Sequence, residues 1–291
     1  MKNGILYVLI TAILFTTYEP VCKLFSADFN PYAIAALRFL IGSLVLLPFS
    51  VQEIKKKKIK LTLKDYTTLT MLGILFICVS MVLLQIAVKV ADSPALIAII
   101  FSSNSIFTII LSVIFLKAKL TKQNVAGIIL CIAGVLLCVD FTQGSNLLSV
   151  VLGLLAAITF STYTVLANKY MKKISGVIQT GLSFFAGSVV LTVIMLLCKV
   201  NLTAGISSSN ILLVLYVAIF VTGVGYAAYF AAMKAGGAQL AAISFMIKPI
   251  LTPFATFFIN GIVPSPSIIV ALILVVSGLF LASKKPKERI E

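Results

Sequence analysis

The sequence predicts an all-α membrane protein, with ten transmembrane helices arranged as two inverted five-helix repeats around a central cavity. Three observations carry that prediction: apolar runs of bilayer length, lysines confined to alternate loops, and an internal repeat at a fixed offset. Of the 291 residues, 61% are hydrophobic and only 11% are charged. A soluble core cannot use that much apolar surface, whereas runs of about 20 apolar residues span the hydrocarbon of a bilayer as helices. Ten such runs fall at roughly 4–24, 32–50, 66–88, 94–116, 122–140, 147–169, 175–198, 209–233, 238–259 and 264–283. The first has no small-residue cleavage site after a short core, so it reads as a retained helix and not a signal peptide.

Loop charge sets the expected orientation. With the N-terminus inside, the inner segments hold eighteen Lys and Arg, and the outer loops hold only Lys23, Lys89 and Lys199. The inner set includes Lys2, the run from Lys55 to Lys64, Lys117, Lys119 and Lys122, then Lys169, Lys172, Lys173 and Lys234, and finally Lys284, Lys285, Lys287 and Arg289. Cytoplasmic loops collect such residues, so both termini are expected in the cytoplasm and the chain in the plasma membrane. The formal charge of +15 records this bias, and no nucleic-acid partner is expected.

The repeat is visible residue by residue. Phe15-Thr16-Thr17-Tyr18 recurs as Phe160-Ser161-Thr162-Tyr163, Phe39 to Ser43 as Phe184 to Ser188, and Ala87-Val88-Lys89 as Ala232-Met233-Lys234, all offset by 145. Gly134 and Gly278 match at 144. Residues 1–144 and 145–291 therefore read as two copies of a five-span unit. An odd number of spans makes the second copy enter from the opposite side, an architecture common among secondary transporters.

Within that frame the stretch Leu240–Ile259 stands out, because Lys248 sits at its middle with Pro249 and Pro253 beside it. A Lys at the centre of a membrane helix costs about 2.5–3.5 kcal/mol on insertion scales. The prolines remove backbone donors that only neighbours or water replace. The stretch is expected to line a polar pocket. In the repeat Lys248 falls opposite Asn104, within Ser102-Ser103-Asn104-Ser105, so Asn104 is a candidate lining residue. Interhelical hydrogen bonding is the alternative, and for Ser102 and Ser105 the favoured one.

Glu19 is the one acid well inside a span. It lies about 7 Å from the outer end of its span and Arg38 about 9 Å, at 1.5 Å per residue. Equal depth suggests a structural Glu19–Arg38 ion pair. Proton coupling or substrate binding at Glu19 is the alternative, since the chain contains no His. Glu19 and Lys248 together would suit a zwitterion. Tyr18, Tyr163 and Tyr226 are further substrate-binding candidates, against the reading of Tyr as an interfacial anchor. Pro20, Pro249, Pro253, Gly223 and Gly225 are candidate hinges.

Other chemistry finds no footing. Without His there is no His-dependent metalloprotease motif or Ser–His triad, and the five cysteines show no CxxC or zinc-like spacing. No metal or cofactor is expected, and an intramembrane enzyme or a channel is the alternative to transport. Ala126-Gly127, Ala133-Gly134 and Ser277-Gly278 give the fifth and tenth spans small faces for helix packing. A homodimer through those helices is left open.

These features together resemble the drug/metabolite transporter superfamily, in its EamA-type branch. Leu37-Arg38-Phe39 followed by Gly42 is similar to that family's second-helix signature. Phe115-Leu116-Lys117 leading to Lys119-Leu120-Thr121, then Ala126-Gly127 to Ala133-Gly134-Val135, is similar to its fourth-to-fifth-helix junction. Lys248-Pro249-Ile250 with Pro253 resembles the ninth helix of one subgroup. The resemblance implies an inner ring of spans 1–4 and 6–9 around a cavity, with spans 5 and 10 peripheral. It implies export or exchange of small metabolites such as amino acids without ATP. The chain departs from the pattern where a glutamate is usual at each junction: Ala118 stands at the first, and Gly261 or Ile262 at the second.

Overall fold

The computed structural model describes residues 2–27, 29–117, 119–138, 144–170 and 174–283, and no strand occurs among them. Ala118, Lys172, Lys173, Lys284, Lys285, Lys287 and Arg289 lie outside the described residues. The helices are α1 (Lys2–Thr16), α2 (Tyr18–Phe25), α3 (Pro31–Lys57), α4 (Leu63–Gly73), α5 (Val82–Val90), α6 (Pro94–Ser102) and α7 (Asn104–Leu116). They continue as α8 (Lys122–Leu137), α9 (Gly144–Tyr170), α10 (Gly176–Leu197), α11 (Ile211–Leu215), α12 (Gly225–Asn260) and α13 (Pro266–Ser283). Two π-helical stretches, Ile74–Met81 and Tyr216–Val224, join α4 to α5 and α11 to α12.

Eight helical stretches among the described residues are long and apolar enough to cross a membrane. Lys122–Leu137 and Pro266–Ala282, the expected fifth and tenth spans, are apolar but shorter. Large apolar side chains such as Leu197, Leu212 and Phe258 are exposed. In water they would form a liability, whereas lipid solvates them.

The stretch α12 is helical along its length, yet it cannot be straight. Thr11 Oγ1 on α1 donates to the Gly225 carbonyl (3.4 Å), and Ser244 Oγ donates to the Val8 carbonyl (3.3 Å). Val8 and Thr11 are one turn apart, whereas a straight helix would hold Gly225 and Ser244 roughly 28 Å apart. Cβ positions place Gly4 against both Ala235 and Leu240. The chain therefore reverses between Ala235 and Leu240, which agrees with the break expected near 235.

Helix ends follow local chemistry, and they recur between the halves. Asn30 and Ser175 cap α3 and α10. Thr62 and Asp65 form a capping box before α4, and 145 residues on the Ser207 N–H donates to Asn210 Oδ1 before α11. Thr121 and Asn124 form a second box before α8, and Ser265 Oγ accepts from the Ile268 N–H at the start of α13. Capping is worth about 1 kcal/mol. Thr121→Ala is therefore expected to lower the thermal midpoint of the detergent-purified protein modestly, with transport retained. A midpoint equal to wild type would show that the cap does not hold α8.

Tertiary contacts recur in the same way. A Cβ on Gly42 would lie 2.9 Å from the Ala218 carbonyl oxygen, and one on Gly187 2.3 Å from that of Gly73. A Cβ on Gly127 would lie 2.5 Å from the Gly278 oxygen, and one on Gly134 2.9 Å from that of Ala271. Exchanging the halves at offsets of 145 and 144 turns each contact into its partner. The ascending order 127, 134 meets the descending order 278, 271, so α8 and α13 run antiparallel. Their small faces are thus packed against each other within the chain. Lys117 and Gly261, 144 apart, both end their helices in the left-handed conformation (φ 54° and 69°). Gly261 has open space around it, so its glycine serves the positive φ.

Two of the lysines expected in outer loops, Lys23 and Lys89, bind carbonyls. Lys23 Nζ donates to the carbonyls of Ala91 and Lys89 just past and at the end of α5, and Lys89 Nζ donates to the Phe29 carbonyl (2.9 Å). A cation there satisfies carbonyls that a helix C-terminus leaves open.

Candidate functional site

The helix of the first span breaks at Thr17, and α2 restarts at Tyr18, so Pro20 sits in a first turn where its missing N–H is not needed. The break aims Glu19 inward, where it is fully buried. Its Oε1 accepts from Lys248 Nζ at 2.5 Å, and Lys248 is itself 5% exposed. This corrects the expected Glu19–Arg38 pair. Axial depth placed Glu19 and Arg38 level, but pairing also requires that both face the same way. Lys248, 229 residues away in sequence, occupies the position facing the carboxylate.

Arg38 instead lies with its guanidinium carbon 4.1 Å from the Tyr18 ring centroid and 4.3 Å from that of Phe39. Its Nη2 donates to Met81 Sδ at 3.3 Å, where the π-helical stretch Ile74–Met81 ends. Tyr18 OH donates to Gln85 Oε1 on α5 (2.8 Å). Lys248 Nζ is 5.5 Å from the Phe101 ring centroid and 5.9 Å from that of Tyr18. Two cations thus lie against aromatic faces, a favourable placement where water is scarce.

Several of these groups border a cavity of ≈ 40 Å³ between α1–α2, α3, α5, α6, α9, α12 and the two π-helical stretches, whereas Glu19 lies just behind its lining. Tyr18, Arg38, Lys248 and Tyr226 line it, with Thr222 and Phe rings including Phe15 and Phe245. The volume holds a few waters at most. A metabolite requires the helices to move apart.

Of the sequence candidates, the structure brings Tyr18, Glu19, Tyr226 and Lys248 together. Asn104 and Tyr163 are buried behind the cavity and do not border it. Asn104 Nδ2 donates to the Phe101 carbonyl (2.7 Å), and its own carbonyl accepts from Ser161 Oγ (2.6 Å). Tyr163 packs tilted against Phe76 (4.8 Å between centroids), and its OH accepts from Gln179 Nε2 at 3.4 Å. Ser102 and Ser103 do not border the cavity, and they donate to carbonyls of their own helix instead of across to a neighbouring one, so the expected interhelical bonds are not what holds them. Among the hinge candidates, Pro249 and Pro253 deprive the Phe245 and Pro249 carbonyls of their helical donors. Gly223 lies in the second π-helical stretch and Gly225 directly after it. Gln85 and Met81 were missed by sequence reasoning, since neither residue type signals a site.

A larger groove of ≈ 650 Å³ lies away from the ion pair. It is bordered by the end of α3, the start of α10 and the first part of α12, including Glu53, Lys56, Lys57, Phe230 and Lys234. Glu53 and Lys57 form an ion pair one turn apart at 2.5 Å.

The helices and the buried charges define an integral, multi-pass membrane protein built to hold polar groups between its spans. Comparison with known proteins makes the class specific. Residues 2–139 and again 147–284 match the EamA-like transporter family, and the chain belongs to that family. An uncharacterized transporter of Clostridium kluyveri is 32% identical over 287 residues, covering 96% of this chain and 92% of its own. The uncharacterized transporter YyaM of Bacillus subtilis is 29% identical over 270 residues, covering 88% and 85%. One solved crystal structure shares the fold at a TM-score of 0.67 and 18% identity, over 97% of each chain.

Proposed function

We propose that this transporter is a secondary carrier that exports or exchanges a small polar metabolite by alternating access. The observation that carries the reading is the buried Glu19–Lys248 pair. Glu19 belongs to the first family match and Lys248 to the second, so the pair ties the two halves together beside the cavity. Any rocking of one half against the other must break it or carry it along.

The reading takes residues 1–144 and 145–291 as inverted five-span halves of a ten-span protein. The recurring caps, the exchanged glycine contacts and the two family matches support it. Spans 5 and 10 cross as the short helices α8 and α13, with both termini cytoplasmic in the plasma membrane. The lysine-rimmed groove is then the cytoplasmic approach. A homodimer would use the outward faces of α8 and α13, where Ile132 and Ile273 are exposed.

Glu19 is the coupling site in this scheme. A proton on its carboxylate cancels the charge that holds Lys248, which frees the halves to separate. Tyr18 and Cys22 on α2, Arg38 on α3 and Lys248 on α12 are the titratable or charged groups around it. Pro20, Pro249, Pro253 and the π-helical stretch holding Gly223, with Gly225 after it, absorb the movement. Both charges of the pair are spent on each other, so the zwitterion expected from two free charges loses its basis.

The test is counterflow in proteoliposomes with a panel of labelled amino acids, carboxylates and nucleotide precursors, with and without a pH gradient. Saturable exchange accelerated by the gradient is expected, and Glu19→Gln is expected to remove the acceleration. Flux that never saturates and shows no counterflow would make the protein a channel. A wild-type pH response in Glu19→Gln would move coupling elsewhere.

A further inference from the structure

Arg38 is 5% exposed and borders the cavity, two turns inside a helix long and apolar enough to cross the membrane. Among the described residues no carboxylate pairs with it. The acid nearest to hand, Glu19, gives its ion pair to Lys248. Arg38 has one hydrogen bond, to the Met81 thioether, and thioether sulfur is a weak acceptor. Its Nε is buried without a partner. The two aromatic faces hold the guanidinium in place, but they cannot neutralise it. A buried cation left this way is costly in a membrane, and such residues mark sites where something compensates the charge.

The rest of the lining restricts what that something is. Lys248 and Glu19 cancel, so the site carries one net positive charge. No acid borders the cavity, so nothing there would receive an ammonium group. The hydroxyls of Tyr18, Thr222 and Tyr226 supply the remaining polarity, and the other surfaces are aromatic or aliphatic. Phe15 packs on Tyr226 at 5.0 Å and on Phe245 at 5.5 Å, a wall suited to an apolar body. A guanidinium fork matches a planar carboxylate through two parallel hydrogen bonds, which a compact ammonium does not.

We infer that Arg38 is the anion anchor of the transport site, and that the substrate is a monocarboxylate with an apolar aliphatic or aromatic body and no amine. The inference rests on the carrier reading for its setting but specifies the ligand independently of transport. The ≈ 40 Å³ now open admits the carboxylate alone, so the body enters only when the surrounding helices part.

The experiment uses the full chain in lipid nanodiscs. Thermal stabilisation is measured with straight-chain and phenyl-substituted monocarboxylates of four to nine carbons, the corresponding primary amides, phenylalanine and inorganic phosphate. Counterflow of a labelled carboxylate is measured in parallel. At least one carboxylate is expected to stabilise the wild type saturably, with its amide, phenylalanine and phosphate at least tenfold weaker. Arg38→Lys is expected to weaken that binding tenfold or more, and Arg38→Met to remove it. Should Arg38→Met not fold, Arg38→Lys decides alone, because it keeps the charge and loses only the fork. Equal binding of acid and amide, or undiminished binding in Arg38→Lys, would overturn the anchor. If no carboxylate in the panel stabilises the protein, the substrate class is wrong. Carboxylate binding without counterflow would leave the anchor standing and sink the carrier reading. Saturable counterflow of an amine-bearing solute indifferent to Arg38→Lys would do the reverse.

Discussion

Lys248→Ala is expected to destabilise the protein more than any other change at the site. It leaves the Glu19 carboxylate fully buried with its ion-pair partner gone. Removing one member of a buried pair costs about 3–5 kcal/mol, because the remaining charge has neither water nor partner. The expected result is a large fall in thermal midpoint in detergent, low accumulation in the membrane and no counterflow. The double substitution Glu19→Gln with Lys248→Met separates stability from function. Replacing both charges with neutral groups of similar shape is often close to neutral for folding. The double variant is therefore expected to recover most of the lost stability and none of the coupling to pH. If Lys248→Ala alone melts like wild type, the pair does not hold the halves together, and the proposed mechanism loses its central contact.

Gly73→Val is expected to be the second large effect, for a steric reason. At Gly73 the helix backbone of the third span lies against that of α10, and a Cβ there would sit 2.1 Å from the Ser183 carbonyl oxygen. Backbone cannot yield as a side-chain tip can, so the two spans must separate. Overpacking in tight cores costs about 1–3 kcal/mol and sometimes more. Gly187 is the reciprocal member of the contact, so Gly187→Val is expected to match it. Gly153→Ala serves as the contrast, since its nearest neighbour would be the Ile100 side chain at 3.1 Å. Accumulation of each variant in membranes, read by fluorescence-detected size exclusion, checks the order. Equal accumulation of Gly73→Val and Gly153→Ala would show that the spans do not meet at Gly73.

The contrast between these two sites shows what the sequence could and could not reveal. Spans were legible because apolar length is a local property, and the reversal after Ala235 was legible as an interruption of it. Lys248 was legible because a charge at mid-span contradicts its surroundings. Its partner was not. Counting residues from a helix end gives depth, and depth alone made Arg38 the neighbour of Glu19. Which way each side chain faces depends on the break at Thr17 and on the extra residue per turn in Ile74–Met81. Pro20 signals the first without giving its direction, and the second has no residue signature. Asn104 illustrates the same limit, because a repeat position opposite Lys248 says nothing of where its amide turns, which is to the Phe101 carbonyl.

The exchanged contacts carry a consequence for energetics. Where a packing contact has a counterpart with the halves swapped, as those of Gly42 with Gly187 and of Gly127 with Gly134 do, the two contacts together favour neither half. The charges do not share that balance. Glu19 and Arg38 correspond to Thr164 and Ser183 in the second half, and Lys248 to Asn104 in the first. An even-handed frame therefore holds an uneven site. In the proposed carrier these three side chains bias the resting state toward one compartment, and replacing them retunes that bias without touching the exchanged contacts.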